Sequence, residues 1–474
     1  MTVPVLAPGD RVHLVGIGGA GMSALATVLL ERGHEVSGSD LRGGPACAAL
    51  AALGATIAVG HAAHNVDGAD LVAVSTAVPA ANPEPARARE LGIPVVRRAE
   101  LLAALLAGSR GVLVAGTHGK TTTTAMATVV LQAAGLDPSF AIGGTLHDSG
   151  ASAHHGAGEV FVAEADESDR SFLVYAPDCA VVTNVELDHH DTYADLGEVT
   201  DAFAAFLEHR SPGAPAVLGT DDPGLRALLA RGPRGPVVGY GEGADAGLRI
   251  VDLQAGPSGS TWSLHADGED LGRFSVPLPG RHNVHNATAA VAVARWAGAP
   301  IEAVRRALSV FNGTQRRFQR LGAAGGVSVV DDYAHHPTEL AATIAAARQT
   351  RPGGRLIAAF QPHRYSRTAA LGAELGRALS AADLVVVTGV YGAGEKPVPG
   401  VTGALVADAA RRGGVETHEV AAAGDLAAFL AVQVAPGDLV LTLGAGDVTE
   451  VGPVLLRLLE ERGEHNGQMD DDRG

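Results

Sequence analysis

The strongest chemical signal in the chain is the stretch Gly116-Thr117-His118-Gly119-Lys120, followed by the four threonines Thr121 to Thr124. The apolar run Val112-Leu113-Val114 before it reads as a buried strand. Met126, Val129, Val130 and Leu131 after it mark the apolar side of a helix. A strand, a glycine turn and a helix N-terminus together make an anion site, because free backbone N–H groups and the positive end of the helix dipole converge on the turn. Glycine lets the backbone wrap a phosphate, Lys120 supplies a point charge for the β/γ oxygens, and Thr121 can hold Mg²⁺. The spacing departs from GxxxxGK[ST]: Val114 stands where the first glycine belongs, and Gly116 comes two residues later. A plain strand-to-helix turn is the competing reading, and composition speaks against it. Of 35 basic residues only Lys120 and Lys396 are lysine, so a lysine retained between Gly119 and Thr121 points to a place that takes a compact ammonium and not a planar guanidinium.

Other clusters lie at the ends of apolar runs. Glu159 to Ala163 reads as a strand ending in Glu164, Asp166, Glu167 and Asp169. These are either a solvated acidic loop or Mg²⁺ ligands facing Lys120 and Thr121, since Mg²⁺ takes one or two carboxylates and keeps waters. Ala180 to Thr183 leads to Asp188-His189-His190-Asp191, a second metal position or a phosphate contact. Asn283 and Asn286 sit three apart at the start of a helix running to about Trp296, where one can cap the helix and either can read an adenine edge. Arg316 and Arg317 place two guanidiniums on a loop, suited to phosphate charge or to a solvated linker. Further on, four strands end in polar clusters: Asp331-Asp332-Tyr333 with His335-His336-Pro337, Gln361 to Arg367, Tyr391 to Lys396, and Gly444 to Asp447.

A second glycine motif lies near the start. The strand Arg11 to Val15 runs into Gly16-Ile17-Gly18-Gly19-Ala20-Gly21 and a helix, which fits GxGxxG in its proper setting. Asp40 ends the next strand, where an acid would meet a ribose hydroxyl, and Ser75-Thr76 follow a third strand, well placed for a ligand phosphate. Taken alone this motif suggests an NAD-type site or a glycine-packed layer without ligand.

The elements that must position these groups alternate strand and helix throughout, which predicts α/β architecture. Three domains are expected: 1–108 Rossmann-like, 109–320 around the phosphate loop, 321–460 a further Rossmann-like α/β layer, and a polar tail 461–474 without order. The first lacks a second mononucleotide half. Hydrophobic residues are 46% and charged residues 18% of the 474, a globular and soluble balance. The net charge of −17 argues against nucleic-acid or membrane-surface partners. Anionic ligands must then be met by local arginines, lysine, helix ends and metal. Cys47 and Cys179 are isolated thiols suited to a reducing cytoplasm. No basic segment followed by an apolar run opens the chain, and no apolar run is long enough to span a bilayer, so neither leader nor membrane insertion is expected.

Together these stretches resemble the Mur ligases, over about residues 12 to 447. The wider superfamily, which includes folylpolyglutamate synthases, uses the shorter GT-x-GK-[ST] loop. The N-terminal glycines, the Asp331-Asp332-Tyr333 to Pro337 stretch and His363-Arg364-Tyr365-Ser366-Arg367 are the more specific marks. The resemblance implies a cytoplasmic ATP- and Mg²⁺-dependent carboxylate–amine ligase of peptidoglycan precursor synthesis. Its substrates would be UDP-N-acetylmuramate and L-alanine, with a tripeptide acceptor as the alternative. It implies that Gly16, Gly18, Gly19, Gly21, Asp40, Ser75 and Thr76 hold the UDP-sugar. Gly116, Thr117, His118, Gly119, Lys120, Thr121, Thr122, Asn283, Asn286, Arg317 and Asp332 would hold ATP, and Thr121, Glu164 and His189 the metal. His336, His363, Arg364 and Arg367 would meet the amino acid, with Lys120, His189 and Arg317 catalytic. Some relatives carbamylate a lysine in the middle domain, and this chain has none between Lys120 and Lys396.

The chemistry so implied runs through an acyl phosphate. The sugar carboxylate attacks the γ-phosphate, the amine attacks the acyl carbon, and phosphate leaves. An NAD-dependent oxidoreductase and a non-catalytic nucleotide-binding regulator are the readings from other classes, and the oligomeric state, monomer or homodimer, stays open.

Overall fold

The computed structural model describes residues 4–351 and 353–471. Three sheets follow one another along the chain, as the alternation of strand and helix predicts, and each is faced by helices. The first has five parallel strands in the order Thr56–Val59, Glu35–Asp40, Arg11–Val15, Leu71–Val74, Val95–Arg97. The order reverses beside Arg11–Val15, so the glycine loop that follows this strand opens at the switch point, where open sheets bind ligands.

The second sheet has ten strands. Its phosphate-loop strand, Arg110–Ala115, is central, pairing in parallel with Val160–Glu164 on one side and Cys179–Val182 on the other. Val112, Leu113, Val114 and Ala115 are fully buried. Such a run, apolar on both faces, is what a central parallel strand requires. The helix that leaves the loop, Lys120–Ala133, packs on the helix Arg281–Trp296. Small residues such as Ala287, Ala289 and Ala290 bury nearly the whole circumference of the second helix and let the two approach closely. One arm of this sheet was not read from sequence: antiparallel Leu248–Gly256, Gly259–Ala266 and Glu269–Val276. The alternation is present in Gly259–Ala266, where Ser260, Trp262, Leu264 and Ala266 face inward, with Trp262 stacked on Phe274.

The third sheet has five parallel strands and one antiparallel edge, in the order Gln319–Ala324, Val327–Asp332, Leu439–Leu443, Leu356–Phe360, Leu384–Thr388, Glu416–Val420. Its last helix, Val451–Asp471, departs from the expectation of an unordered tail from 461. Leu455 and Leu459 anchor the early turns of this helix on the sheet. Once a helix is nucleated, each further residue adds one hydrogen bond. Residues 472–474 lie outside the described residues. Among the described residues no helix is long and apolar enough to cross a membrane.

Candidate active site

The phosphate loop is shaped by two obligatory glycines. Gly116 has φ +128°, and a Cβ there would lie 2.1 Å from Thr183 Oγ1. Gly119 has φ +80°, and a Cβ there would lie 2.6 Å from Asn286 Oδ1. Only glycine satisfies both the backbone angle and the approach. Lys120 lies across this loop, its Nζ donating to Gly116 O (2.6 Å) and Glu167 Oε1 (3.0 Å). Burial opposes its charge, but Glu167 and Asp166 outweigh burial and hold the ammonium above its ordinary pKa.

The four acidic residues at the end of Val160–Glu164 and just beyond it divide in two. Glu164 faces the loop, taking Thr121 Oγ1 at 3.2 Å and the Gly143 N–H at 2.6 Å, and burial raises its pKa. Glu167 also faces it, pushed up to about 7 by burial against the pull of Lys120. Its Oε2 is buried with Lys120 Nζ 2.9 Å away but without an aligned hydrogen bond. Asp169 turns away to accept from the Ser171 N–H, and Asp166 points to Arg98 of the first domain at 3.9 Å. His189 takes φ +53°, with Nε2 3.8 Å from both Glu167 Oε1 and Asp188 Oδ2, and burial lowers its pKa. Thr121 and Glu164 meet beside Lys120, and His189 lies near Glu167 and Asp188; the oxygens of Thr121 and Glu164 are donors of the kind Mg²⁺ takes.

A cavity of about 260 Å³ lies between the middle and last domains. Gly119, Thr122, Asn283, Asn286, Arg317 and Asp332 line it, with Tyr240, Leu278 and Phe318 as its apolar walls. Asn283 Nδ2 donates to Pro279 O (2.8 Å), a local bond at the helix start, while Asn286 Oδ1 accepts from Thr123 Oγ1 (3.2 Å) and ties the two helices. The paired arginines separate. Arg316, at φ +59°, turns into the last domain and donates to Gly444 O at 2.7 Å. Arg317 faces the cavity, with Nη1 3.6 Å from Glu339 Oε1. Asp332 accepts from the Phe318 N–H (2.7 Å) and Ala334 N–H (2.8 Å), and burial pushes it up to about 6.

Two aspartate–arginine rungs are among the contacts between the last domain and the loop after Cys179–Val182. Asp188 accepts from Arg367 at Nε and Nη2, both 3.0 Å, with each side chain only 5% exposed. Asp191 pairs with Arg364 at 3.3 Å. In this arrangement the two arginines expected at the amino acid's carboxylate are engaged by Asp188 and Asp191, which were expected to serve a metal or a phosphate. His335, not His336, is the ring that meets His363, edge-on at 5.7 Å. His336 instead lies against His118 at 4.5 Å. The order of two adjacent histidines in a turn is a matter of backbone direction, which composition does not reveal. His189, Arg316, Phe318 and Arg364 all take left-handed φ, so backbone strain gathers where these two domains meet.

In the first domain Asp40 Oδ2 accepts from the Gly18 N–H at 3.0 Å, so this acid shapes the glycine loop itself. Ser75 lies beside Gly16, and Thr76 is exposed on the same turn. Arg98 packs against Gly21. It joins the glycine loop to Asp166 of the middle domain and was missed in the sequence, as was Glu84. That carboxylate is fully buried and accepts from Ser39 Oγ and Asn65 Nδ2, both at 2.6 Å, with His13 Nε2 at 3.4 Å. Burial alone would raise its pKa, but these bonds bring it to about 2. No motif marks Glu84; its only signal is a glutamate following Pro83 at a helix start.

Comparison with known proteins adds the following. Residues 11–110 match the family description "Mur ligase family, catalytic domain", 114–294 "Mur ligase middle domain", and 316–446 "Mur ligase, glutamate ligase domain". The UDP-N-acetylmuramate–L-alanine ligase of Streptomyces avermitilis is 48% identical over 467 residues, covering 96% of this chain and 100% of that one. That of Saccharopolyspora erythraea is 50% identical over 459 residues, covering 95% and 94%. Among solved structures, UDP-N-acetylmuramate–alanine ligase from Thermotoga maritima superposes with a TM-score of 0.81 at 29% identity, covering 96% of this chain and 99% of that one. A murein peptide ligase from Psychrobacter arcticus gives 0.72 at 25%, covering 95% and 99%.

Proposed function

This chain belongs to the Mur ligase family, and we propose that within it the chain joins L-alanine to the carboxylate of UDP-N-acetylmuramate in an ATP- and Mg²⁺-dependent reaction in the cytoplasm. One observation carries the reading: the phosphate loop of the middle domain and Arg317 and Asp332 at the edge of the last domain close on a single cavity. The near full-length likeness to ligases of that name supports the choice of substrates.

The residues divide the work. Gly16, Gly18, Gly19 and Gly21, with Asp40, Ser75 and Thr76, hold the UDP-sugar at the switch point of the first sheet. Gly116 to Thr122 wrap the ATP phosphates, and Asn283, Asn286 and Asp332 hold the nucleoside side. Thr121, Glu164 and His189 would hold Mg²⁺, which when bound neutralises phosphate charge. Lys120 and Arg317 bracket the γ-phosphate, offsetting the negative charge brought together by ATP and the sugar carboxylate. The carboxylate oxygen attacks the γ-phosphorus and ADP leaves. The alanine amine then attacks the acyl carbon, and phosphate departs with that oxygen. His363, Arg364 and Arg367 receive the amino acid once the rungs from the two arginines to Asp191 and Asp188 open. The amine must lose a proton, and with His189 committed to Mg²⁺ a last-domain residue takes it.

The test is phosphate release from ATP and Mg²⁺ with UDP-N-acetylmuramate, with and without L-alanine. Release requiring both, with a product heavier by one alanine residue, is the expected result. Release with a tripeptide acceptor alone would move the chain to the recycling branch.

A further inference from the structure

The side chain of His118 has no task in the steps above. The loop's backbone is fixed by other groups: His118 N donates to Asn184 Oδ1 (2.8 Å), and His118 O accepts from Asn184 Nδ2 (3.1 Å). The imidazole instead reaches across the domain boundary. Its Nε2 lies 3.2 Å from Glu186 Oε2 in the middle domain, and its Nδ1 lies 3.4 Å from Glu339 Oε1 on the last-domain helix Pro337–Thr350. A neutral imidazole has one donor, so a carboxylate at each nitrogen calls for the imidazolium. Burial works against that charge, but the bonds to Glu186 and Glu339 prevail and bring the group up to about 9.

The surroundings repeat the crossing. Thr338 Oγ1 of the last domain donates to Glu186 Oε2 at 2.7 Å. His336 lies tilted against His118, ring centroids 4.5 Å apart, and places Nδ1 3.6 Å from Glu186. Burial and the His118 charge hold it down to about 4, so one ring of the pair is charged. Glu339 is shared with Arg317 at 3.6 Å and His335 Nδ1 at 3.3 Å. His282, lining the same cavity from the helix Arg281–Trp296, is lowered to about 4 by burial.

We propose that His118 is a positioning residue whose imidazolium, bonded to Glu186 and Glu339, ties the phosphate loop to the last domain and keeps Glu339 from pairing wholly with Arg317, so that the amino acid arrives in register with the γ-phosphate. The kinetic part rests on the ligase reading; the tie between domains does not.

The test compares His118→Ala, Glu339→Gln and the double variant with wild type. Gln at position 339 keeps the helix capping bonds while removing the charge. Each single change lowers kcat/KM for L-alanine at least tenfold, and the double is no worse than the poorer single within a factor of two. The Kd for a non-hydrolysable ATP analogue with Mg²⁺ rises by a clearly smaller factor than kcat/KM for L-alanine falls, a split that general damage to the loop would not give. Thr338→Val, which deletes the second crossing without touching the loop, lowers the same ratio in the same direction. Losses that multiply in the double variant, or ATP affinity falling in parallel, overturn the proposal. If wild type shows no alanine-dependent phosphate release, the ligase reading alone fails. Small-angle scattering with the ATP analogue then decides: a larger radius of gyration for His118→Ala supports the tie, and an unchanged one refutes it.

Discussion

Replacing Asp188 by asparagine keeps the shape of the rung to Arg367 and removes its charge. The two bonds are both 3.0 Å, and each side chain is 5% exposed, so little solvent screens the pair. Burial would raise the Asp188 carboxyl, but the charge of Arg367 and its hydrogen bonds together hold the carboxyl well below its usual range. Breaking a buried pair by removing one partner costs about 3–5 kcal/mol, since the other charge is left buried alone. At about 2–4 °C per kcal/mol for units of this size, the melting transition of the docked last domain should fall by roughly 6–20 °C. Calorimetry at neutral pH measures this directly. The double variant Asp188→Leu with Arg367→Met, which replaces the pair by apolar groups, should recover most of the loss. The sign with pH follows from the depressed carboxyl. The contribution is complete above the unfolded pKa of about 4 and is lost as pH falls through the folded value. A loss below about 1 kcal/mol for Asp188→Asn, the range of exposed pairs, would mean that water reaches the rung and that the two domains do not dock as described.

Three further outcomes are expected. Lys120→Ala should reduce ATP turnover by about 10²–10³-fold while UDP-sugar affinity, measured by equilibrium dialysis, is unchanged; loss of both would contradict the division between domains. Gly116→Ala should remove nucleotide binding by titration calorimetry, because its Cβ would meet Thr183 Oγ1 at 2.1 Å; retained affinity would show that the loop adapts. Glu84→Gln should destabilise the first domain by about 1–3 kcal/mol in denaturant titration. With the folded Glu84 carboxyl at about 2, its contribution is present above about pH 4.5 and vanishes as pH falls toward 2. A penalty for Glu84→Gln that persists undiminished below pH 2 would contradict the assignment.

The backbone scaffold was legible because apolar runs and glycines declare themselves. Val112 to Ala115 read as a buried strand, and Gly116 to Lys120 as a tight glycine turn opening a helix, as the structure has them. The acidic end of Val160–Glu164 was legible as a cluster, but not the divergence of its members. Whether Glu167 or Asp169 faces Lys120 depends on the turn after the strand. The same holds for Arg316 and Arg317, which one left-handed residue sends to opposite sides, and for His335 and His336. The antiparallel arm from Leu248 to Val276 carries its alternation openly, yet it holds no chemistry that draws the eye. Arg98, Glu84 and Glu339 act through partners distant in the chain, and local spacing does not encode such pairings.

Label transfer tests the central claim most directly. UDP-N-acetylmuramate carrying ¹⁸O in its carboxylate is turned over with ATP, Mg²⁺ and L-alanine, and the released phosphate is examined by mass spectrometry. The account predicts one labelled oxygen in each phosphate, because the carboxylate oxygen that attacks the γ-phosphorus leaves with it. Unlabelled phosphate would mean that ATP is cleaved by water and that the phosphate loop does not activate the sugar's carboxylate.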